Sequence, residues 1–381
     1  MLIKTDCKYF LSDRPCIYHK TSKIICEKCK YYVKNGEKVI IIKLGALGDV
    51  LRTTSILQLL SKKYKNSLIY WVTYRNAVPL LENISYIKQI LAYDVNTLVR
   101  VLIEKFDILI NLDLSEDALY LASIINAKKK FGYWIDNKSG RICFSKKAAE
   151  WFYLSHNDIL KKKNQKTYQE HILNILGLKS KDSNEYRILV NLTENEKIFS
   201  KIFSDKNKIN KTADIKIIGL NTGGGAEWRK KEWPVKHTVK LIRLLLENNK
   251  NNKILIFGGQ KEKERNKNIF SLIPTKLLKE NSIIDTGTNN TLREFMALID
   301  LCDIVVTTDT LALHIALGLN KKVVALFGPT SDSEIEMYKL GTKILSPIEC
   351  SICYNRNCNK EPDCMELITP EIVYKTIISQ I

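Results

Sequence analysis

Asp49 closes the stretch Lys43-Leu-Gly-Ala-Leu-Gly48-Asp49, which follows the continuous apolar run Val39–Ile42. Val50, Leu51, Ile56, Leu57 and Leu60 then show helical spacing, so the carboxylate stands at a helix N-terminus after a strand and a glycine turn. There it either caps the helix or serves as a general base, and the helix dipole, by lowering its pKa, favours the charged form while weakening the base. A second cluster is Asn221-Thr222-Gly223-Gly224-Gly225, whose glycines let backbone N–H groups approach an anion and whose threonine adds a hydroxyl. Arg229, Lys230 and Lys231 follow, just before Pro234 at a first helical position, where phosphate is attracted. An exposed basic loop would read the same way. A third cluster, Asp309-Thr310-Leu311-Ala312-Leu313-His314, opens another helix; Asp309 also reads as a cap and His314 as a core histidine. No Asp-x-Asp pair occurs, so a metal–diphosphate site on paired carboxylates is not indicated, and cations and helix dipoles would carry the charge of a departing diphosphate.

The elements around these residues alternate. Strands are expected at Val39–Ile42, Leu68–Val72, Ile108–Leu112 and, more briefly, Lys130–Tyr133, with a helix at Ala118–Ile125. After a polar linker at Lys179–Glu185 the pattern restarts with strands at Ile215–Asn221, Ile254–Phe257, Ile304–Val306 and Val323–Phe327. Helices are expected from near Pro234, at Leu292–Ile299 behind a Thr291/Glu294 capping box, and at Leu311–Leu317. Two such series imply an α/β protein with two doubly wound parallel-sheet domains, whose ligands bind at strand carboxyl ends in the cleft between them. The expected divisions are a Cys-rich extension (1–36), a first domain (37–182), a second domain (183–347) and a Cys-rich segment with a C-terminal helix (348–381). A chain of 381 residues exceeds what one compact core usually holds.

Hydrophobic residues at 45% and charged residues at 27% exclude wholesale disorder and a coiled-coil rod. No apolar run approaches the roughly 18–20 residues of a membrane span, and Met1–Phe10 lacks a signal-peptide core, so a cytoplasmic protein is expected. The net charge of +19 suits a polyanionic partner such as an anionic membrane face, although Lys128–Lys130, Lys161–Lys163 and Lys206–Lys211 equally suit a Lys-rich composition. Aromatic residues do not interleave with the basic runs, so nucleic acid is not an expected partner.

Taken together, IIIKLGALGDVLRTTSIL, IGLNTGGGAEWRKKEWP, the Phe257-Gly-Gly turn with its acidic followers, and TLREFMALIDLCDIVVTTDTLALHIALGL…VVALFGPTSDSE resemble glycosyltransferase family 9, the ADP-heptose:lipopolysaccharide heptosyltransferases. The resemblance covers about 39–335 and implies the GT-B architecture, with the nucleotide-sugar held mainly by the second domain and the acceptor by the first. It implies inverting, metal-independent transfer of heptose or a related sugar from an ADP-sugar to a lipid-linked core acceptor. A protein acceptor, or a non-catalytic nucleotide-sugar-binding relative, are its alternatives. In that reading Asp49 is the base and Lys231 stabilises the ADP leaving group. Thr222 and Gly223–Gly225 contact phosphate, Asp309, Thr310, Leu311, Ala312 and His314 surround diphosphate and sugar, and Glu262 or Glu264 meets the ribose. Gly48 belongs to the opening motif; Arg52, Lys128–Lys130 and Tyr133 lie where an acidic acceptor sugar could bind. Leu311 departs from the pattern, standing where the family usually has glycine, so it crowds the approach of the backbone to phosphate. Peripheral contact with the inner membrane face follows from the acceptor and the charge.

Eight of the ten cysteines lie at the two ends: Cys7, Cys16, Cys26 and Cys29, then Cys350, Cys353, Cys358 and Cys364. In a chain without an export signal, Cys26-x2-Cys29 and Cys350-x2-Cys353 read as metal chelates ahead of free thiols or disulfides. Zinc, iron or an iron–sulfur cluster accepts four thiolates, and the role would be structural. Cys143 and Cys302 read as buried core thiols.

Overall fold

The structure is a computed structural model that describes residues 2–209, 214–224, 229–279 and 282–381. The first sheet comprises β1 (Lys38–Ile42), β2 (Leu68–Thr73), β3 (Ile87–Ala92), β4 (Phe106–Asn111), β5 (Ala127–Ile135) and β6 (Ile142–Phe144). The second comprises β7 (Ile217–Asn221), β8 (Lys253–Ile256), β9 (Ile283–Asp285), β10 (Ile304–Thr308), β11 (Lys322–Phe327) and β12 (Gly341–Leu345). Their orders are β3-β2-β1-β4-β5-β6 and β12-β11-β10-β7-β8-β9. Counted within each half, both follow the 3-2-1-4-5-6 order of a doubly wound nucleotide-binding sheet. All pairings are parallel except β5 with β6.

β1 and β10 are central strands with helices on both faces, which is why their sequences are continuous apolar runs rather than alternating ones. Val39–Ile42 and Ile304–Val306 have no exposed surface. In such an order the first and fourth strands of each half are neighbours, and their diverging connections leave a crevice at the carboxyl edge. Asp49 follows β1, the glycine loop follows β7, and Asp309 follows β10, so each expected site residue leaves the carboxyl end of a central strand.

Several boundaries differ from the sequence reading. The expected helix from Val50 is two, Leu47–Thr53 and Leu57–Lys63, joined by a tight turn. β3, β6, β9 and β12 are additional edge or near-edge strands; β3 and β12 are partly exposed and lack a continuous apolar run. The Thr291–Glu294 capping box forms as expected. Cys302 is buried, but Cys143 is only half-buried on β6, an edge strand with one neighbour. Among the described residues, no helix is long and apolar enough to cross a membrane.

Candidate active site at the seam of the two sheets

The helix Leu47–Thr53 has Ala46 at its N-cap with no side-chain cap, so Asp49 is not spent on capping. Its carboxylate instead meets two cations, Arg52 Nη2 at 2.8 Å and Lys43 Nζ at 3.7 Å. Lys43 also lies 3.4 Å from Asp113 Oδ2. That oxygen accepts the Leu44 N–H at 3.0 Å, while Oδ1 accepts the Ser115 N–H at 2.9 Å. The Arg52 guanidinium lies over the Tyr168 ring, 3.9 Å from its centroid, and the Tyr168 hydroxyl shares a 2.6 Å hydrogen bond with Thr53. The side chains of Lys43, Arg52 and Asp113 are 8–11% exposed and that of Asp49 is 35% exposed, so Asp49 is the member of this network that a substrate can reach.

Burial opposes charge on Asp49, but Arg52, Lys43 and His314 outweigh it and hold the pKa below the ordinary aspartate value. The carboxylate is therefore ionised at neutral pH, ready to accept a proton. As a weakened base it is suited to receive one late, after the attacking hydroxyl has become acidic. Lys43 and Asp113 were not singled out in the sequence. The signals were a lysine closing a buried β-branched strand and an aspartate two residues beyond β4.

From the second sheet, Lys231 Nζ contacts Asp309 Oδ2 at 2.8 Å and the Asp309 carbonyl at 3.3 Å. Burial opposes the Asp309 charge, yet Lys231 and His314 bring its pKa down to about 2. Asp309 thus positions Lys231 rather than capping the next helix, whose N-cap is Thr310. Thr310 Oγ1 accepts from Asn221 Nδ2 at 3.2 Å and lies 3.0 Å from Thr307 Oγ1, which ties the ends of β7 and β10 together.

His314 joins the two halves. A Cβ on Gly48 would lie 2.8 Å from His314 Cδ2 and 3.9 Å from Leu311 Cα, so the glycine is required by close approach across the seam. Leu311 therefore packs against the first domain at this contact. Burial, reinforced by Arg52, lowers the His314 pKa to about 4, leaving a neutral imidazole between Asp49 and Asp309. In an NMR titration His314 should stay neutral through pH 6; an inflection near the ordinary ~6.5 would contradict this seam. Gly48→Ala should cost about 1–3 kcal/mol through overpacking, read as a lowered thermal midpoint.

The structure separates other expected residues. Thr222 is buried and its hydroxyl is occupied by Arg265 Nη2 at 2.9 Å and Thr238 Oγ1 at 3.2 Å, so it holds the loop in place. Arg265, another residue missed in the sequence, also bonds the Trp233 carbonyl, while its buried Nε has no hydrogen-bond partner among the described residues. Gly223 permits close approach of Glu262, whose Cγ would be 2.7 Å from an added Cβ. Glu262 accepts the Gly259 N–H at 2.9 Å, whereas Glu264 faces solvent and pairs with Lys267. Of the two acids, Glu262 is at the loop. Gly224 is buried beside it, and Gly225 lies outside the described residues. Ala312 packs into the hydrophobic core, so its side chain is not available to a ligand. Tyr133 is likewise buried, donating to the Ala148 carbonyl at 3.2 Å, and Lys128 pairs with Asp107; neither joins the site.

Glu334, in the loop after β11, and Tyr354, from the C-terminal segment, extend the site. The Tyr354 hydroxyl lies 3.0 Å from Glu334 Oε1, and burial raises the Glu334 pKa despite the opposing influence of Arg52. Cys350, Cys353, Cys358 and Cys364 gather behind this corner. Burial, and then the charges of Asp363 and the other three cysteines, push the Cys364 thiol up to about 12. A Cβ on Gly328 would meet Cys364 Sγ at 2.6 Å, so the segment packs directly on the exit of β11. The cysteines form no disulfide, and among the described residues no three His, Cys, Asp or Glu side chains converge closely enough to hold one metal ion.

A family model described as glycosyltransferase family 9 (heptosyltransferase) matches residues 95–363, well over half of the chain. The chain belongs to glycosyltransferase family 9. Lipooligosaccharide heptosyltransferase 2 of Campylobacter jejuni is 29% identical over 42% of this chain and 50% of its own length, so the match spans half of that relative. Lipopolysaccharide heptosyltransferase 1 of Campylobacter coli is 23% identical over 89% of this chain and 98% of its own. Among solved structures, a family 9 glycosyltransferase from Veillonella parvula superimposes with a TM-score of 0.72 at 18% identity, covering 90% of this chain and 97% of that one. The GT-B fold expected from the resemblance is thus the family 9 fold.

Proposed function

We propose that this family 9 enzyme transfers a heptose or related sugar from an ADP-sugar to a lipid-linked lipopolysaccharide core acceptor, with inversion at the anomeric carbon. The observation that carries this is the reachable Asp49 carboxylate joined through Gly48 and His314 to the Lys231–Asp309 pair. Asp49, held by Arg52 and Lys43, takes the proton of the acceptor hydroxyl as its oxygen attacks the anomeric carbon. The anomeric carbon–oxygen bond to the diphosphate breaks in the same displacement, and ADP leaves with the bonding electrons. Lys231 and the amides of the Gly223 loop meet the negative charge that develops on the diphosphate. Such preorganised charge is commonly the largest single contribution to catalysis. Arg52, buried over the Tyr168 ring and paired with Asp49, keeps the base in place instead of meeting the acceptor itself. With a basic chain of +19, docking on an anionic inner membrane face brings enzyme and lipid-linked acceptor together.

Glu262 is assigned to the donor ribose. Glu262→Ala should weaken ADP binding about 10- to 100-fold, the cost of one charge-assisted hydrogen bond, with Glu264→Ala unchanged; calorimetry checks both. The C-terminal cysteines do not converge on one point, so their geometry does not fit the structural zinc or iron expected from their spacing, and no step of the transfer is routed through them.

The test is release of nucleoside diphosphate from a panel of nucleotide-sugars, run with acceptors extracted from the native cell envelope. ADP release that requires a lipid-linked acceptor supports the proposal. Release that requires a surface protein moves the acceptor to protein. ADP binding without turnover on any acceptor leaves a non-catalytic binder, the outcome that Leu311 would favour.

A further inference from the structure

The last strand of the first sheet and the two helices after it present an apolar, cationic surface that takes no part in the transfer step. β5 and β6 pair antiparallel, and Ile142 and Phe144 stand two apart on β6, hence on one face of it. The Phe144 ring stacks on Phe152 at 4.7 Å and meets Tyr153 edge-on at 6.3 Å, which seats the helix Ala149–Ser155 against the hairpin. The helix Asp158–Lys163 packs on that helix in turn. These elements leave Ile142, Tyr153, Ile159 and Leu160 exposed by 39%, 59%, 69% and 43%.

The same stretch is strongly basic. Residues 136–166 hold eight Lys and Arg against three acids. Each acid is already engaged: Glu150 with Lys166 at 2.6 Å, Asp158 with Lys161 at 3.3 Å, and Asp136 with the Ser139 N–H at 2.8 Å. Lys138, Arg141, Lys146, Lys147 and Lys163 are exposed and, among the described residues, have no acidic partner. Exposed apolar side chains set among unneutralised cations suit the headgroup boundary of an anionic bilayer. The apolar groups enter the acyl margin and the cations meet lipid phosphates.

This surface borders the transfer site. Lys161 Nζ lies over the Tyr354 ring, 4.6 Å from its centroid, and Lys162 Nζ donates to the Glu349 carbonyl at 3.2 Å. Tyr354 reaches Glu334, whose own carbonyl accepts the Tyr168 N–H at 2.9 Å, and the Tyr168 ring carries Arg52.

We propose that the β5–β6 hairpin and the helix Asp158–Lys163 dock the enzyme on a bilayer of anionic phospholipid. Docked there, the site lies beside the headgroups, an orientation whose use rests on the acceptor being lipid-linked.

The test is co-sedimentation of the full chain with acceptor-free vesicles of phosphatidylethanolamine and phosphatidylglycerol, against vesicles of phosphatidylcholine alone. Binding should require phosphatidylglycerol and weaken as salt is raised. Arg141→Glu/Lys163→Glu should weaken it about 10²-fold, whereas the charge-matched Lys201→Glu/Lys206→Glu, on the helix Glu194–Lys206, should change it only a few-fold. Ile159→Ser alters no charge and should weaken it about 10-fold. Equal loss in the two charge variants, or an Ile159→Ser variant that binds like wild type, overturns the assignment. Wild-type protein that ignores anionic vesicles also overturns it; if that protein still releases ADP with a detergent-dispersed lipid acceptor, the proposed transfer stands. Binding lost only through Arg141, Lys163 and Ile159, without turnover on any lipid-linked acceptor, supports the surface and counts against that acceptor.

Discussion

Asp49→Asn should lower transfer by about 10²–10⁴-fold, the usual contribution of a positioned general base, while ADP affinity stays within a few-fold of wild type. The expectation follows from geometry. The amide is nearly isosteric and can still accept from Arg52, so the network of Lys43, Asp113, Arg52 and Tyr168 need not collapse. What disappears is the negative charge of the carboxylate that a substrate can reach. Turnover should fall more than acceptor binding, because proton removal is an interaction of the transition state. Calorimetry with ADP and a thermal melt accompany the rate measurement. A loss of ADP binding or of folding in parallel with activity would mean that Asp49 is structural.

Lys231→Ala should cost about 10²–10³ in turnover, the size expected for one lost electrostatic contact to a developing anion. It also strands Asp309, whose low pKa of about 2 depends on that lysine. A carboxylate held low stabilises the fold above its unfolded pKa of ~3.9 and loses that contribution as pH falls through about 2. In Lys231→Ala the Asp309 pKa should rise, so acid unfolding should begin at higher pH than in wild type. The double variant Lys231→Ala/Asp309→Asn separates the two roles of the lysine. If Lys231 only neutralises Asp309, the second change restores activity; if it neutralises the leaving group, stability recovers and turnover does not.

The parts of this fold that could be read from sequence are those whose burial is two-sided. β1, β4, β7, β10 and β11 are interior strands of their sheets, and their largely apolar, buried runs name them directly. β3 and β12 lie at sheet edges, where alternating exposure dilutes the apolar signal, and β6 and β9 are only three residues long.

The site follows the same logic. Asp49, Lys231 and Asp309 each leave a readable strand, so topology alone brings them to one edge. Lys43 and Asp113 meet across 70 positions of sequence, which no local pattern reveals. Thr222 has the right residue type for phosphate, but Arg265, 43 positions later, claims its hydroxyl. The choice between Glu262 and Glu264 needed the Gly223 contact, since both acids stand within five residues of the glycine turn. Ala312 fits the motif by position, yet helical periodicity turns it into the core. Glu334 and Tyr354 were invisible because their meeting depends on how the Cys-rich segment folds back over β11.

The most direct measurement is the anomeric configuration of the transferred sugar, read by NMR on product made by wild-type and Asp49→Asn protein from an ADP-sugar and a lipid-linked core acceptor. A single displacement assisted by one carboxylate predicts a product inverted relative to the donor, formed by wild type and all but absent with the asparagine variant. A product that keeps the donor's configuration, or one formed equally well without the Asp49 carboxylate, would contradict it.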